Sequence, residues 1–245
     1  MRVPRSQVLT PYSYFHMMWR AHNREYILQT RKEKLAYLRA MRDDYMKNCK
    51  DRPFEIQGYT VMSNHAHLNG QNGDDSKPLS DHMRRAHSRF GMGYNKRHDR
   101  LGKVAHDRPK IKTSQDEAYS MEVMLYDHCN PVRAKIIKTA TNILWRLFST
   151  ARYMCYGETN EFTCMISLPD WYIKLGPTPK ARQPKYSQML DHYHMGKALK
   201  PDPKRTRGYF IGSDDWTAAQ RKRIRECRRA EAKKETTAGD PPDTS

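Results

Sequence analysis

One stretch limits the folds open to this chain more than any other: Tyr59-Thr60-Val61-Met62-Ser63-Asn64-His65-Ala66-His67-Leu68. It reads as an apolar strand, a tight polar corner at Ser63-Asn64 and the start of a second strand, so an antiparallel hairpin is expected. Strand side chains alternate faces, which points His65 and His67 the same way and turns Ala66 to the opposite, buried face. Two imidazoles aimed together can hold a divalent cation. Alone the pattern is weak: with 11 histidines in 245 residues, a His-X-His arises in roughly half of shuffled versions of such a chain. A second copy, His192-Tyr193-His194, falls in a stretch that reads as helix, where residues two apart face roughly 200° apart. The first pair therefore needs a third ligand and a reason for the metal.

Charge supplies the reason. Against 27 Asp+Glu stand 45 Lys+Arg, a formal net charge of +18, which points to a polyanionic partner and to nucleic acid before a membrane surface. No segment approaches the ~18 consecutive apolar residues of a spanning helix, and the start Met1-Arg2-Val3-Pro4-Arg5-Ser6 lacks the apolar core of a secretory signal. The five cysteines (Cys49, Cys129, Cys155, Cys164, Cys227) are odd in number and contain no C-x-x-C. That argues against a disulfide framework or zinc ribbon and for a cytoplasmic protein, nucleoid-associated at most.

Tyr12 to Arg20 is rich in aromatic and long apolar residues and reads as a first core strand. From Arg31 to Lys47, Leu35, Leu38, Met41, Tyr45 and Met46 recur at helical spacing, and Asp51-Arg52-Pro53 stops that helix. The hairpin Phe54 to Met62 and His65 to Leu68 follows, then a turn-rich loop from Asn69 to Ser76. Pro78 opens a second helix with an apolar stripe through Leu79, Met83, Ala86, Phe90 and Tyr94, flanked by Arg84, Arg85, Arg89, Lys96 and Arg97. One face fits a sheet and the other fits phosphates, although a merely solvated basic face reads as well. Val104 to Thr113 alternates so that Arg108, Lys110 and Lys112 line one face of a strand, which Pro109 assigns to an edge. Ser114-Gln115-Asp116-Glu117 is a capping-box start, and a third helix runs on through Met121, Met124 and Leu125 to end near Asn130-Pro131. Strand, helix, strand, strand, helix, strand is the split βαβ order. The expected class is α+β, a ferredoxin-like or RRM-like antiparallel sheet with helices packed on one face and the other face free to bind.

Tyr126 and Asn130 stand four apart on the third helix, hence on one face. If that face lies against the hairpin, His65, His67 and Asn130 surround a cation with Tyr126 beside it. Two imidazoles and an amide oxygen leave open positions and suit Mg²⁺ or Mn²⁺, ions that also grip phosphate oxygens. A phenol attacks phosphorus at neutral pH only when such an ion withdraws charge and holds the phosphate in line. Tyr126 also reads as a half-buried core tyrosine, and Asn130 before Pro131 as the cap of a following helix.

The segments DRPFEIQGYTVMSNHAHL and MLYDHCNPVRAKII resemble the two signature regions of the single-tyrosine HUH transposases, in particular the REP-associated tyrosine transposases. HNREYIL, SRFGMGYNKRHDRLG and WRLFSTARY resemble further pieces, and the likeness spans roughly residues 12 to 156. It implies that Tyr126 is the nucleophile and that His65, His67 and Asn130 are the metal ligands. It further implies a nuclease and strand transferase acting on single-stranded DNA at hairpin or repeat elements near its own gene, as a monomer or homodimer. The reaction passes through a 5′-phosphotyrosine and needs no nucleotide cofactor. This chain departs from the family pattern at Ser63, where proline is usual, at Ala66, where a bulky apolar residue is usual, and in the polar run Asn69 to Gly73.

The remainder divides into an accessory segment, 157 to 207, packing on the domain of residues 1 to 156, and a basic helical tail, 208 to 245. A short helix is expected near Tyr186 to Met195 and a polar linker from Lys200 to Arg207. Ser213 or Asp215 caps a helix through Thr217 to Lys234, with disorder from Glu235 on. A non-catalytic binder of single-stranded nucleic acid on the same sheet is the other reading of the whole.

Overall fold

The computed structural model describes residues 3–196 and 208–237. Its centre is a five-stranded sheet in the order β2-β3-β1-β4-β5, formed by β1 (Tyr14–Arg20), β2 (Phe54–Val61), β3 (His65–Asn72), β4 (Lys110–Ser114) and β5 (Phe210–Ile211). Neighbours are antiparallel except β4 and β5, which run parallel and make the sheet mixed. The α+β class stands.

The sheet has two chemically distinct faces, and the alternation of β1 explains both. Phe15, Met17 and Trp19 are buried on one face. There α2 (Arg31–Asn48) and α3 (Lys77–Arg97) pack, and the Trp19 ring lies against Tyr37 and Phe90. Each such side chain contributes roughly 1.5–3 kcal/mol by leaving water. His16, Met18 and Arg20 point the other way, in register with Asn69, His67 and His65 of β3. Lys112 and Lys110 of β4 continue the same rows.

That second face is not free. The helix α4 (Glu117–Arg133) lies on it, with the Met124 side chain over Gly58 and the Asp127 carboxylate on Asn69. A second apolar cluster, including Met124, Leu125, Cys129, Trp171 and Tyr186, seats α4 against α5 (Ala151–Tyr156), α6 (Asp170–Ile173) and α7 (Pro179–Gly196). The expectation of helices on one face fails because the chain beyond residue 117 supplies its own apolar partner for α4.

Several boundaries also move. β3 runs on to Asn72, because Asn69 and Asn72 find buried acceptors in Asp127 and the Thr10 carbonyl. A Cβ at Gly70 would sit 2.0 Å from the Glu55 carbonyl oxygen, so the strand pair closes there only on glycine. β4 begins at Lys110, and upstream only Ala105 bridges to Ala21, since Pro109 offers no N–H to a ladder. α4 starts with Asp116 accepting from the Tyr119 amide and continues through Pro131 to Arg133, so Asn130 neither ends one helix nor begins another. α7 begins at Pro179, seven residues ahead of the expected start. The C-terminal helix spans Asp214–Thr237 with Ser213 Oγ accepting from the Trp216 amide. The expected linker from Lys200 to Arg207 and the tail beyond 237 lie outside the described residues. Among the described residues no helix is long and apolar enough to cross a membrane.

Candidate active site

The registers of β1 and β3 bring three imidazoles together on the polar face. His16 and His67 stack with ring centroids 5.1 Å apart, and His65 meets His67 edge-on at 4.9 Å. Into this group α4 inserts Asp127, which is fully buried. Its Oδ1 lies 3.1 Å from His67 Nδ1 and accepts from Asn130 Nδ2 at 3.3 Å, while its Oδ2 lies 3.2 Å from His16 Nε2 and accepts from Asn69 Nδ2 at 2.8 Å. One carboxylate thus ties two strands and a helix.

Burial alone would raise the Asp127 pKa, but His67, His16 and the Asn69 donor outweigh it and hold the carboxyl well below the usual range. Burial pushes His67 down to about 4, and burial followed by the neighbouring His67 pushes His65 down to about 3. Both imidazoles are therefore neutral at neutral pH, the form that carries a lone pair for a metal.

The hydrogen bonds also select which nitrogen carries it. His67 Nδ1 lies 2.9 Å from His16 Nε2 and 3.1 Å from Asp127 Oδ1. His67 Nε2 lies 3.2 Å from Asn130 Nδ2, the donor nitrogen of the amide, which places the His67 proton on Nδ1. His65 Nδ1 donates to Asn64 Oδ1 at 2.6 Å and keeps its lone pair on Nε2. Of the sequence-predicted trio, His67 meets both others: the His65 ring edge-on and the Asn130 amide by hydrogen bond. The two neutral imidazoles are nitrogen ligands of the kind a divalent ion takes, while the Asn130 oxygen is engaged by Arg133 and its nitrogen faces His67. Ligand atoms of His16, His67 and Asp127 also all lie within 4.8 Å of one another, a second way for the same pocket to hold an ion.

Tyr126 is half-buried on α4, its ring packed against the second apolar cluster. The Arg133 guanidinium lies 4.4 Å from its ring centroid, and Arg133 Nη1 donates to Asn130 Oδ1 at 3.2 Å. One side chain thus links the phenol ring to the amide that meets His67.

The predicted phosphate contacts separate into groups. Arg84, Arg89 and Lys96 stand exposed on α3. Arg85 is spent on the buried Asp44, and Arg97 on the buried Glu33. Lys112 is buried beside His16, while Arg108 and Lys110 line a cavity at the sheet edge. Sequence reasoning missed His16 and Asp127. The available signal was the i, i+3 spacing of Asp127 and Asn130 on one helix.

No family model and no curated protein matches the chain. Among solved structures it is similar to a REP-associated tyrosine transposase bound to a REP hairpin, at 20% identity and a TM-score of 0.49. That similarity covers 66% of this chain and 94% of the other.

Proposed function

We propose that the chain is a metal-dependent single-stranded DNA endonuclease and strand transferase of the tyrosine HUH type. The observation that carries this reading is the meeting of Asn130 with His67 at 3.2 Å, two residues from opposite ends of the pattern that the sequence singles out. His65, His67 and Asn130 would hold Mg²⁺ or Mn²⁺. When bound, the ion withdraws charge from a phosphate and orients it. The chain's own residues do the rest. Asp127 places its charge beside His67 and His16, Arg133 positions the Asn130 amide, and Tyr126 would supply the nucleophile. The phenolic oxygen loses its proton and forms a bond to phosphorus as the bond to the 3′ oxygen breaks and that oxygen takes up a proton, leaving a 5′-phosphotyrosine and a free 3′-OH. Attack by a second 3′-OH reverses the exchange, returns the phenol and reseals a strand. No ATP is consumed, because the ester energy stays in the covalent link.

The DNA would be hairpin-bearing, from repeats near the gene. Oligonucleotides of that kind, labelled 3′ of the cut, should give a slow-migrating covalent adduct with Mg²⁺ or Mn²⁺. Tyr126→Phe should abolish it, and an adduct that survives this change would falsify the proposal. A second reading, a nucleic-acid binder without chemistry, is favoured by one fact: every Asp127 oxygen already has protein partners, so the polar cluster closes as a structural unit. Binding indifferent to chelator, with no cleavage of any hairpin, would decide for it.

A further inference from the structure

Beside the paired imidazoles the sheet edge holds a cavity of about 290 Å³. Its lining includes Arg5, Arg20, Arg108 and Lys110, four cations against the single carboxylate of Asp107. Arg20 stands directly opposite His65 on the same face of the sheet, so the cavity opens one residue from the candidate centre. Coulombic repulsion from Arg20 reaches both His65 and His67.

Such a concentration of like charge is costly unless something answers it. Arg5 is half-buried, and burial followed by repulsion from Arg108 lowers its pKa to about 10. Arg5 donates to the neutral Pro109 carbonyl at 3.3 Å, and Arg108 to the Val3 carbonyl at 2.8 Å. The Arg20 guanidinium donates to the Met18 sulfur at 3.9 Å. Among the described residues none of these three arginines pairs with a carboxylate. This differs from Arg85 and Arg97 on α3, whose charges are met by buried acids. Asp107 turns its Oδ1 to the Arg108 backbone amide. Guanidinium groups converging without acids are the arrangement that grips a phosphate.

We infer that this cavity is a phosphate-binding subsite, in which Arg5, Arg20 and Arg108 hold one phosphodiester of the DNA strand next to the one at the His65/His67 centre. The inference rests on the function proposed above for its choice of ligand, a DNA phosphodiester, and not for the existence of an anion site. The backbone contact carries no base information, so it acts alike on every sequence.

Two measurements in EDTA test it, neither needing catalysis. Inorganic phosphate should raise the melting temperature of the wild-type chain saturably. Arg20→Gln and Arg108→Gln should lose that gain, while Arg108→Lys and Lys32→Gln, at an exposed position on α2, keep it. Single-stranded oligonucleotides of unrelated sequence should bind each cavity variant about tenfold more weakly, with the salt slope reduced by roughly 0.7 per charge removed. Arg20 ties no other segment, so its variant stands even where Arg5 or Arg108 variants misfold. An undiminished phosphate effect in Arg20→Gln and Arg108→Gln overturns the subsite. Phosphate binding without any oligonucleotide effect assigns the cavity to free phosphate and overturns the DNA assignment. A failed strand-transfer reading shows separately, as no adduct beside an intact phosphate effect.

Discussion

Asp127 decides how the two halves of the site meet. Its Oδ1 lies 3.1 Å from His67 Nδ1, which also meets His16 Nε2 at 2.9 Å, while His67 Nε2 faces the Asn130 Nδ2 donor. Replacing it by asparagine keeps the shape but removes the buried negative charge that faces both His67 and His16. Mn²⁺ affinity of Asp127→Asn, read by calorimetric titration, should fall roughly 10–100-fold; an unchanged affinity would remove Asp127 from the metal's support. The two possible ligand sets separate at the same scale. His65 has its Nδ1 on Asn64, free of the carboxylate, whereas His16 spends Nε2 on Asp127. Accordingly His65→Ala should weaken Mn²⁺ at least tenfold and His16→Gln only a fewfold. The reverse order would make His16, His67 and Asp127 the ligands. His65, His67, Asn130 and Tyr126 could be singled out as candidates from the sequence because each belongs to a short local pattern. His16 could not, being one polar residue in an aromatic strand whose meaning depends on its pairing with Asn69 of β3.

At the scale of elements, two glycines set how closely the parts approach. A Cβ at Gly70 would press on the Glu55 backbone oxygen and the Phe15 ring, neither of which can yield without opening the β2–β3 pair. At Gly58 the nearest atom, 2.3 Å from such a Cβ, is the sulfur of Met124, the end of a flexible side chain. Gly70→Ala should therefore cost about 2–4 kcal/mol in urea unfolding, and Gly58→Ala about half of that or less. Equal costs would mean that α4 is held as rigidly as the strands. The order of β1, α2, β2, β3 and α3 could be read ahead because each carries its own period and breakers. The covering of the polar face by α4 could not, since it depends on the apolar side chains of α5 to α7, more than 20 residues further on. β5 was illegible for a plainer reason: a two-residue strand, Phe210–Ile211, has no period.

For the whole molecule the buried histidines set a direction for stability against pH. Burial lowers His65 to about 3, His67 and His128 to about 4, and His87 to about 3 in the folded chain. An unfolded histidine titrates near ~6.5. Above that value both states are neutral at these positions and the histidines leave stability unchanged. Below it the unfolded chain takes up protons that the folded chain refuses, so stability falls as the pH drops from ~6.5 toward the folded values near 4. Asp127 adds to the loss at the acid end: its folded pKa is depressed, and the stability it confers disappears as the pH falls through and below the ordinary carboxylate range. Each fully refused proton is worth on the order of 1.4 kcal/mol per pH unit. Urea midpoints taken between pH 7.5 and 4.5 should decline steadily, beginning below pH ~6.5, in metal-free buffer. Saturating Mn²⁺ should steepen that decline, because an ion bound to neutral His65 and His67 stabilises only the folded chain and is itself displaced by protons. A midpoint flat down to pH 5 would mean that these imidazoles take up protons in the folded state, and then they could not serve as neutral ligands.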